Sequence, residues 1–260
     1  MKKIALTSLL AVFAAAGANA ANVIDGNPLY MPKAGHFYSE TALDSHSEST
    51  DSWALSEEFG YGISDKLAVM VGTGISETEG FDIFGWDNLA LGAAFRALDM
   101  GAWKVDAIAA FNMDPIYTYV DAADEGYFLD KDLTTYTWTL GVRGGYVASN
   151  WTVAGHVNFN YANAEAFAWG DEGVHAWQLG VDGQYLIDSD WNLVAGLEYT
   201  GLTDDGVKNG GTWEGKLGVN YNIDATKYLG AYISGGMTHA TGDWEWADGF
   251  GFGVKFGIDF

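Results

Sequence analysis

The chain has 260 residues, 48% hydrophobic, 15% aromatic and only 18% charged, a balance that excludes an intrinsically disordered protein. It contains no cysteine, which excludes disulfide scaffolds, thiolate metal sites, cysteine nucleophiles and a lipoprotein anchor. The net charge of −23 becomes −25 without Lys2 and Lys3, and a field of that sign repels nucleic acid.

In chain order, Met1, Lys2 and Lys3 precede an apolar run of 14 residues at 4–17, and Ala18-Asn19-Ala20 has the small-x-small form of a cleavage site. Residues 1–20 therefore read as a signal peptide, since the run falls short of the roughly 18 apolar residues of a helical span. Strands are expected at 35–44 and 52–63. Counting back from Ile63, Tyr61 and Phe59 points Glu57 outward in mid-strand, unless a bulge near Glu57 and Glu58 turns both inward.

From Leu67 onward ten strands alternate with period two, which places successive side chains on opposite faces. In 151–161, for example, Trp151, Val153, Val157, Phe159 and Tyr161 share one face, while Thr152, His156, Asn158 and Asn160 share the other. No charge falls on the ten apolar faces. The opposite faces carry Arg96, Lys104, Asp106, Arg143, His156, Asp182, Glu198, Glu214, Lys216, Lys255 and Asp259. Such sorting means that one side meets a medium in which a Lys or Arg costs about 2 to 4 kcal/mol.

A soluble sandwich alternates too, and the strand ends decide between them. Short connections at 64–66, 97–102, 147–150, 186–190 and 224–227 are flanked by outward aromatics: Phe95 and Trp103, Tyr146 and Trp151, Tyr185 and Trp191, then Tyr221. Rings gathered at one level, with Phe260, suit a membrane interface. The opposite connections, at 112–133, 162–173, 202–211 and 239–248, are longer and acidic. Short turns on one rim and long loops on the other are the asymmetry of an outer-membrane barrel. The expectation is a twelve-stranded antiparallel transmembrane β-barrel over 35–260. Residues 21–34, with Asn27-Pro28-Leu29-Tyr30 and Pro32, lie in the periplasm or fold back as a plug.

The end of the chain, Phe250-Gly-Phe-Gly-Val-Lys-Phe-Gly-Ile-Asp-Phe260, resembles the C-terminal assembly signal of bacterial outer-membrane β-barrels. The resemblance implies insertion by the barrel assembly machinery into the outer membrane of a Gram-negative-type bacterium, with lipid and lipopolysaccharide as surroundings. Some twelve-stranded members of this class are channels for acidic sugars with arginine tracks in the lumen. This chain has only Arg96 and Arg143, which argues against such solutes.

Chemistry-bearing motifs are sparse. Phospholipase-type barrels use a His-x-Ser pair, and none of His36, His46, His156, His175 or His239 is followed two positions later by Ser, so an enzyme is not expected. Asp121 to Asp132 partly fits a calcium loop but has Ala123 at the third position, and no metal or cofactor is expected. Acidic side chains such as Glu77, Asp124, Asp171 and Asp204 would crowd the outer rim and concentrate cations. The inward glycines, among them Gly92, Gly141, Gly180, Gly230 and Gly257, either accommodate curvature or leave the interior open.

Strands tilted by about 40° and spaced about 4.8 Å imply a backbone radius of roughly 12 Å, or about 5 to 6 Å after side chains. The expected function is a narrow passive pore for small hydrophilic solutes or ions, lined by the charges from Arg96 to Lys255. The alternatives are a closed structural or surface-interaction barrel and, third, a lipid-modifying enzyme.

Overall fold

A computed structural model describes residues 26–46, 52–78, 83–115, 119–120, 128–129, 134–163, 173–203, 210–239, 244–246 and 250–260. The leader at 1–20, the calcium-like loop at 121–132 apart from one short strand, and most of the acidic outer loops lie outside the described residues.

Twelve long strands make the wall: β1 (Phe37–His46), β2 (Ser52–Ser64), β3 (Leu67–Thr78), β4 (Ile83–Met100), β5 (Trp103–Pro115), β8 (Thr134–Val147), β9 (Trp151–Asn163), β10 (Val174–Leu186), β11 (Trp191–Leu202), β12 (Gly211–Asp224), β13 (Lys227–His239) and β15 (Gly251–Asp259). Short strands β6 (Tyr119–Val120) and β7 (Phe128–Leu129) pair within one long connection, and β14 (Glu245–Trp246) adds to the end of β13. Each long strand pairs antiparallel with its sequence neighbour in the wall. The β1–β15 and β12–β13 pairings close the ring. Closure leaves no unpaired edge, which is the condition for a sheet to sit in lipid.

The expected phases hold. Leu140 is 65% exposed, Leu217 55% and Ile233 57%, all on the outside. Sealing between stacked sheets would have buried them. The turns are tighter than anticipated: β4 runs on to Met100 by way of a bulge between Arg96 and Leu98, and only Gly101 and Ala102 join it to β5. Gly101 has φ +75°, the left-handed conformation that a two-residue turn requires.

Glu57 keeps its outward phase. The β1–β2 register is continuous from Ser52 to Tyr61, so no bulge rotates Glu57 and Glu58 together. The irregularity of β2 lies lower, between Gly62 and Ser64. Glu57, four residues from both Trp53 and Tyr61, accepts hydrogen bonds from Ser39 Oγ at 2.6 Å and from Thr41 Oγ1. Two hydroxyls thus compensate a carboxylate that faces out from the middle of this wall, while Glu58 turns inward and is buried.

A lower row of rings runs along the turn rim, with Trp103–Tyr146 at 5.2 Å, Tyr146–Trp151 at 5.3 Å and Trp191–Tyr221 at 4.9 Å between centroids. Phe37 stacks on Phe260 at 6.0 Å where the ring closes. A second row, not anticipated from the sequence, lies toward the loop rim: Phe111–Trp138, Phe159–Trp177 and Tyr199–Trp213. Tyr136 and Tyr146 of β8 mark the two levels. Ten residues of rise at about 3.4 Å, tilted by about 40°, separate them by roughly 26 Å, the height of an outer-membrane apolar band.

Candidate functional site in the barrel lumen

The lumen begins with residues 26–34, which turn back inside the ring instead of trailing from it. Asn27 starts the turn by accepting from Leu29 N through Oδ1 at 3.0 Å and from Tyr30 N through its carbonyl at 3.0 Å. One end of this strap is fastened to β2. Gly35 N donates to Gly62 O at 2.7 Å, and Ala34 bridges Gly62. A Cβ on Gly62 would stand 2.0 Å from Lys33 O, so only glycine admits the strap there. The other end reaches the opposite wall, where a Cβ on Gly26 would stand 2.0 Å from Val194 Cγ1 of β11.

Two arginines hold the middle. Arg96, Asp106 and Arg143 are direct cross-strand partners on β4, β5 and β8. Arg96 grips Asp106 bidentately, Nε to Oδ1 at 2.8 Å and Nη2 to Oδ2 at 3.0 Å, and Arg143 Nε reaches Oδ2 at 2.9 Å. Their remaining donors go to the strap: Arg96 Nη2 to Leu29 O at 2.7 Å and Arg143 Nη2 to Tyr30 O at 2.8 Å. The three side chains are almost completely buried, Asp106 entirely, and Leu29 is only 2% exposed. Tyr30 extends the attachment, with its hydroxyl 3.2 Å from Asp259 Oδ2 and its ring edge-on to Tyr38 at 5.8 Å.

A second polar cluster lies on β9, β10 and β11. His156 Nδ1 is 3.1 Å from Asp182 Oδ2 and Nε2 is 3.0 Å from Glu198 Oε2. Gln178 Nε2 donates to Glu198 Oε1 at 3.1 Å. Gly180 stands between His156 and Glu198 in the wall, and a Cβ there would meet His156 Cε1 at 2.3 Å. Gly141 and Gly230 are similar notches, where a Cβ would meet the side chains of Asn158 and Asn220 at 2.0 and 2.3 Å. A third cluster joins the two ends of the sheet. Glu40 accepts from Tyr228 and faces Lys255 Nζ at 3.4 Å, and Lys216 Nζ lies 3.5 Å above the Tyr232 ring.

Of the expected lumen residues, Arg96, Asp106, Arg143, His156, Asp182, Glu198, Lys216 and Lys255 take part in these three clusters. Asp106 takes the two arginines and not a lysine. Lys104 swings out to Asp99 at the turn, 2.8 Å away, and Lys216 uses an aromatic face. The interior is also fuller than a radius of 5 to 6 Å suggests, because Asn160, Gln178, Thr137 and Thr139 are each 2% exposed or less. Sequence reasoning missed Tyr38, Glu40, Glu58, Tyr228 and Tyr232. The inward phases of 228 and 232 were available, but only charges were counted there, and on β1 and β2 the phase was unsettled.

No protein-family model matches the chain, and no curated protein does. Solved structures do. The NanC porin is similar, with a TM-score of 0.58 and 11% identity over 85% of this chain and 98% of its own. An outer membrane channel from Pseudomonas putida F1 has a TM-score of 0.57 and 16% identity over 92% and 99%. The translocator domain of the autotransporter NalP from Neisseria meningitidis has 0.56 and 13% over 98% and 97%. The chain has the outer-membrane β-barrel fold. Outer-membrane barrels of these three kinds share this wall at low identity, so the wall alone does not select among their roles.

Proposed function

We propose that this outer-membrane barrel is a narrow passive channel for small hydrophilic solutes or ions, shut from the turn side by its own strap at 26–34. The observation that carries the reading is the seating of two successive strap carbonyls, Leu29 O and Tyr30 O, on two buried guanidiniums. A barrel built only as a scaffold has no need of a separate segment across its bore. The porin and channel among the similar structures support the same reading. The enzyme alternative is disfavoured by His156, whose two ring nitrogens are both engaged by carboxylates and leave no lone pair to activate a nucleophile. The reading brings with it lipid and lipopolysaccharide around the apolar band and insertion by the barrel assembly machinery.

Planar-bilayer recording tests the proposal. The intact protein should show rare, small current steps, and deletion of residues 26–33 should raise the open fraction and conductance several-fold. Silence from both proteins would leave a closed structural barrel as the function.

A further inference from the structure

The strap meets the wall in the manner of a bound ligand. Asn27 to Tyr30 form a tight turn in which the Asn27 carbonyl and Oδ1 accept the amide protons of Tyr30 and Leu29, each at 3.0 Å. Pro28, second in this turn, has a fixed φ, so the turn is shaped before it docks. With those two donors spent internally, the turn presents two successive acceptors to the wall, Leu29 O and Tyr30 O.

The seat that receives them is built by the wall itself. Asp106 fixes both arginines, through Nε and Nη2 of Arg96 and Nε of Arg143. Each guanidinium then directs Nη2 to one strap carbonyl, at 2.7 and 2.8 Å. Two residues along from Arg96 and Asp106 the inner wall turns apolar: Ala68, Ala94 and Ile108 are successive cross-strand partners on β3, β4 and β5, and all three are buried. Such a patch suits an apolar side chain, and Leu29 is itself only 2% exposed. Tyr30 adds a phenol, 3.2 Å from Asp259 Oδ2 and edge-on to Tyr38. One short turn therefore engages the arginine pair and a carboxylate together, so these groups lie within the span of a single small peptide.

We infer that this seat is a peptide-binding site, and that the solutes competing with the strap for it are short peptides with a proline turn followed by an apolar and an aromatic residue. The strap is the resident copy. A guanidinium donor buried without an acceptor is costly, so the opened seat favours a molecule that restores two carbonyls. A small anion would satisfy the arginines but leave the apolar patch and Asp259 unused. The inference names a solute class for the channel proposed above and rests on the strap being displaceable, while binding itself needs no current.

The test is calorimetric titration of the full chain in detergent micelles with the acetylated, amidated hexapeptide Asn-Pro-Leu-Tyr-Met-Pro, the sequence of residues 27–32. In the wild type the tethered strap competes at roughly millimolar effective concentration. The seat is opened by Gly62→Ala, whose Cβ would stand 2.0 Å from Lys33 O and which leaves Arg96, Asp106 and Arg143 in place. Saturable binding to this variant is expected, at least tenfold tighter than to the wild type. Leu29→Asp serves as the opened chain if Gly62→Ala fails to fold by circular dichroism. Adding Arg143→Lys, which keeps the charge and loses the guanidinium fork, should weaken binding at least tenfold. A scrambled peptide of the same composition should not bind, and equimolar acetate should not displace the hexapeptide. No saturable binding to the opened chain, equal binding of the scrambled peptide, indifference to Arg143→Lys, or displacement by acetate would overturn the proposal. Silent bilayers with peptide binding intact would remove the channel reading and leave this site standing, and currents without peptide binding would do the opposite.

Discussion

Removing the Asp106 carboxylate should injure this protein more than any other single change in its lumen. Asp106 is fully buried and accepts three hydrogen bonds, at 2.8, 3.0 and 2.9 Å, from two guanidiniums that are themselves buried. Asp106→Ala deletes the only negative charge bonded to Arg96 or Arg143 among the described residues and leaves two cations facing each other. Charge-assisted bonds contribute about 1.5 to 3 kcal/mol each but are not additive within one network. Breaking a buried pair from one side costs about 3 to 5 kcal/mol, and that is the expected loss here. The assay is reversible urea unfolding in lipid vesicles, followed by tryptophan fluorescence. Because each arginine also holds a strap carbonyl, proteolytic cleavage within residues 26–34 should become faster in the folded variant. A loss below about 1 kcal/mol, with the strap still protected, would refute the idea that this trio is the central fastening of the lumen.

Four further outcomes follow from the geometry. Leu140→Arg, at a 65% exposed outward position near the middle of the band, should cost about 2 to 4 kcal/mol in vesicle folding, and a neutral result would mean that this face does not meet lipid. Glu57→Leu should go the other way and stabilise by about 1 kcal/mol in the same vesicles, because a lipid-facing carboxylate is removed; destabilisation would show that Ser39 and Thr41 depend on it. Gly180→Ala should push His156 away from Glu198 and cost about 2 kcal/mol, the loss of one charge-assisted bond, and unchanged stability together with an unshifted His156 NMR signal would contradict the notch. The carboxyl of Asp224, in the turn beyond the Trp191–Tyr221 rings, is held down at about 2, first by the Thr226 amide and then by the Thr226 hydroxyl and Lys227. A depressed carboxyl stabilises the fold above its unfolded value near about 4 and stops doing so as pH falls through about 2. The difference between the wild type and Asp224→Asn should therefore vanish at the acid end; a difference independent of pH would exclude this origin.

The wall was legible because lipid is an unforgiving selector. Ten strands without a charge on one face left no freedom in their register, and Leu140, Leu217 and Ile233 lie where alternation places them. Legibility failed where a residue answers to something other than lipid. Glu57 breaks the pattern because Ser39 and Thr41, on a different strand, supply its hydrogen bonds, and no local rule anticipates a cross-strand pair. The partners of the charged side chains were not legible, because Asp106 lies opposite Arg96 and Arg143 only once strand order and stagger are fixed. The strap was visible only as a proline-containing stretch with two possible locations. Its seating depends on backbone carbonyls, which every sequence has and none displays.

Connectivity also ties the strap to the seam of the cylinder. β1 and β15 come from opposite ends of the described chain and are zipped together through nine residue pairs from Tyr38–Asp259 to His46–Gly251. The strap at 26–34, which leads into β1, reaches β2, β4, β8 and β11 from within, so whatever holds it in place also braces the strand at that seam. A cork made in one piece with a stave of the cask can loosen, but it cannot drift away.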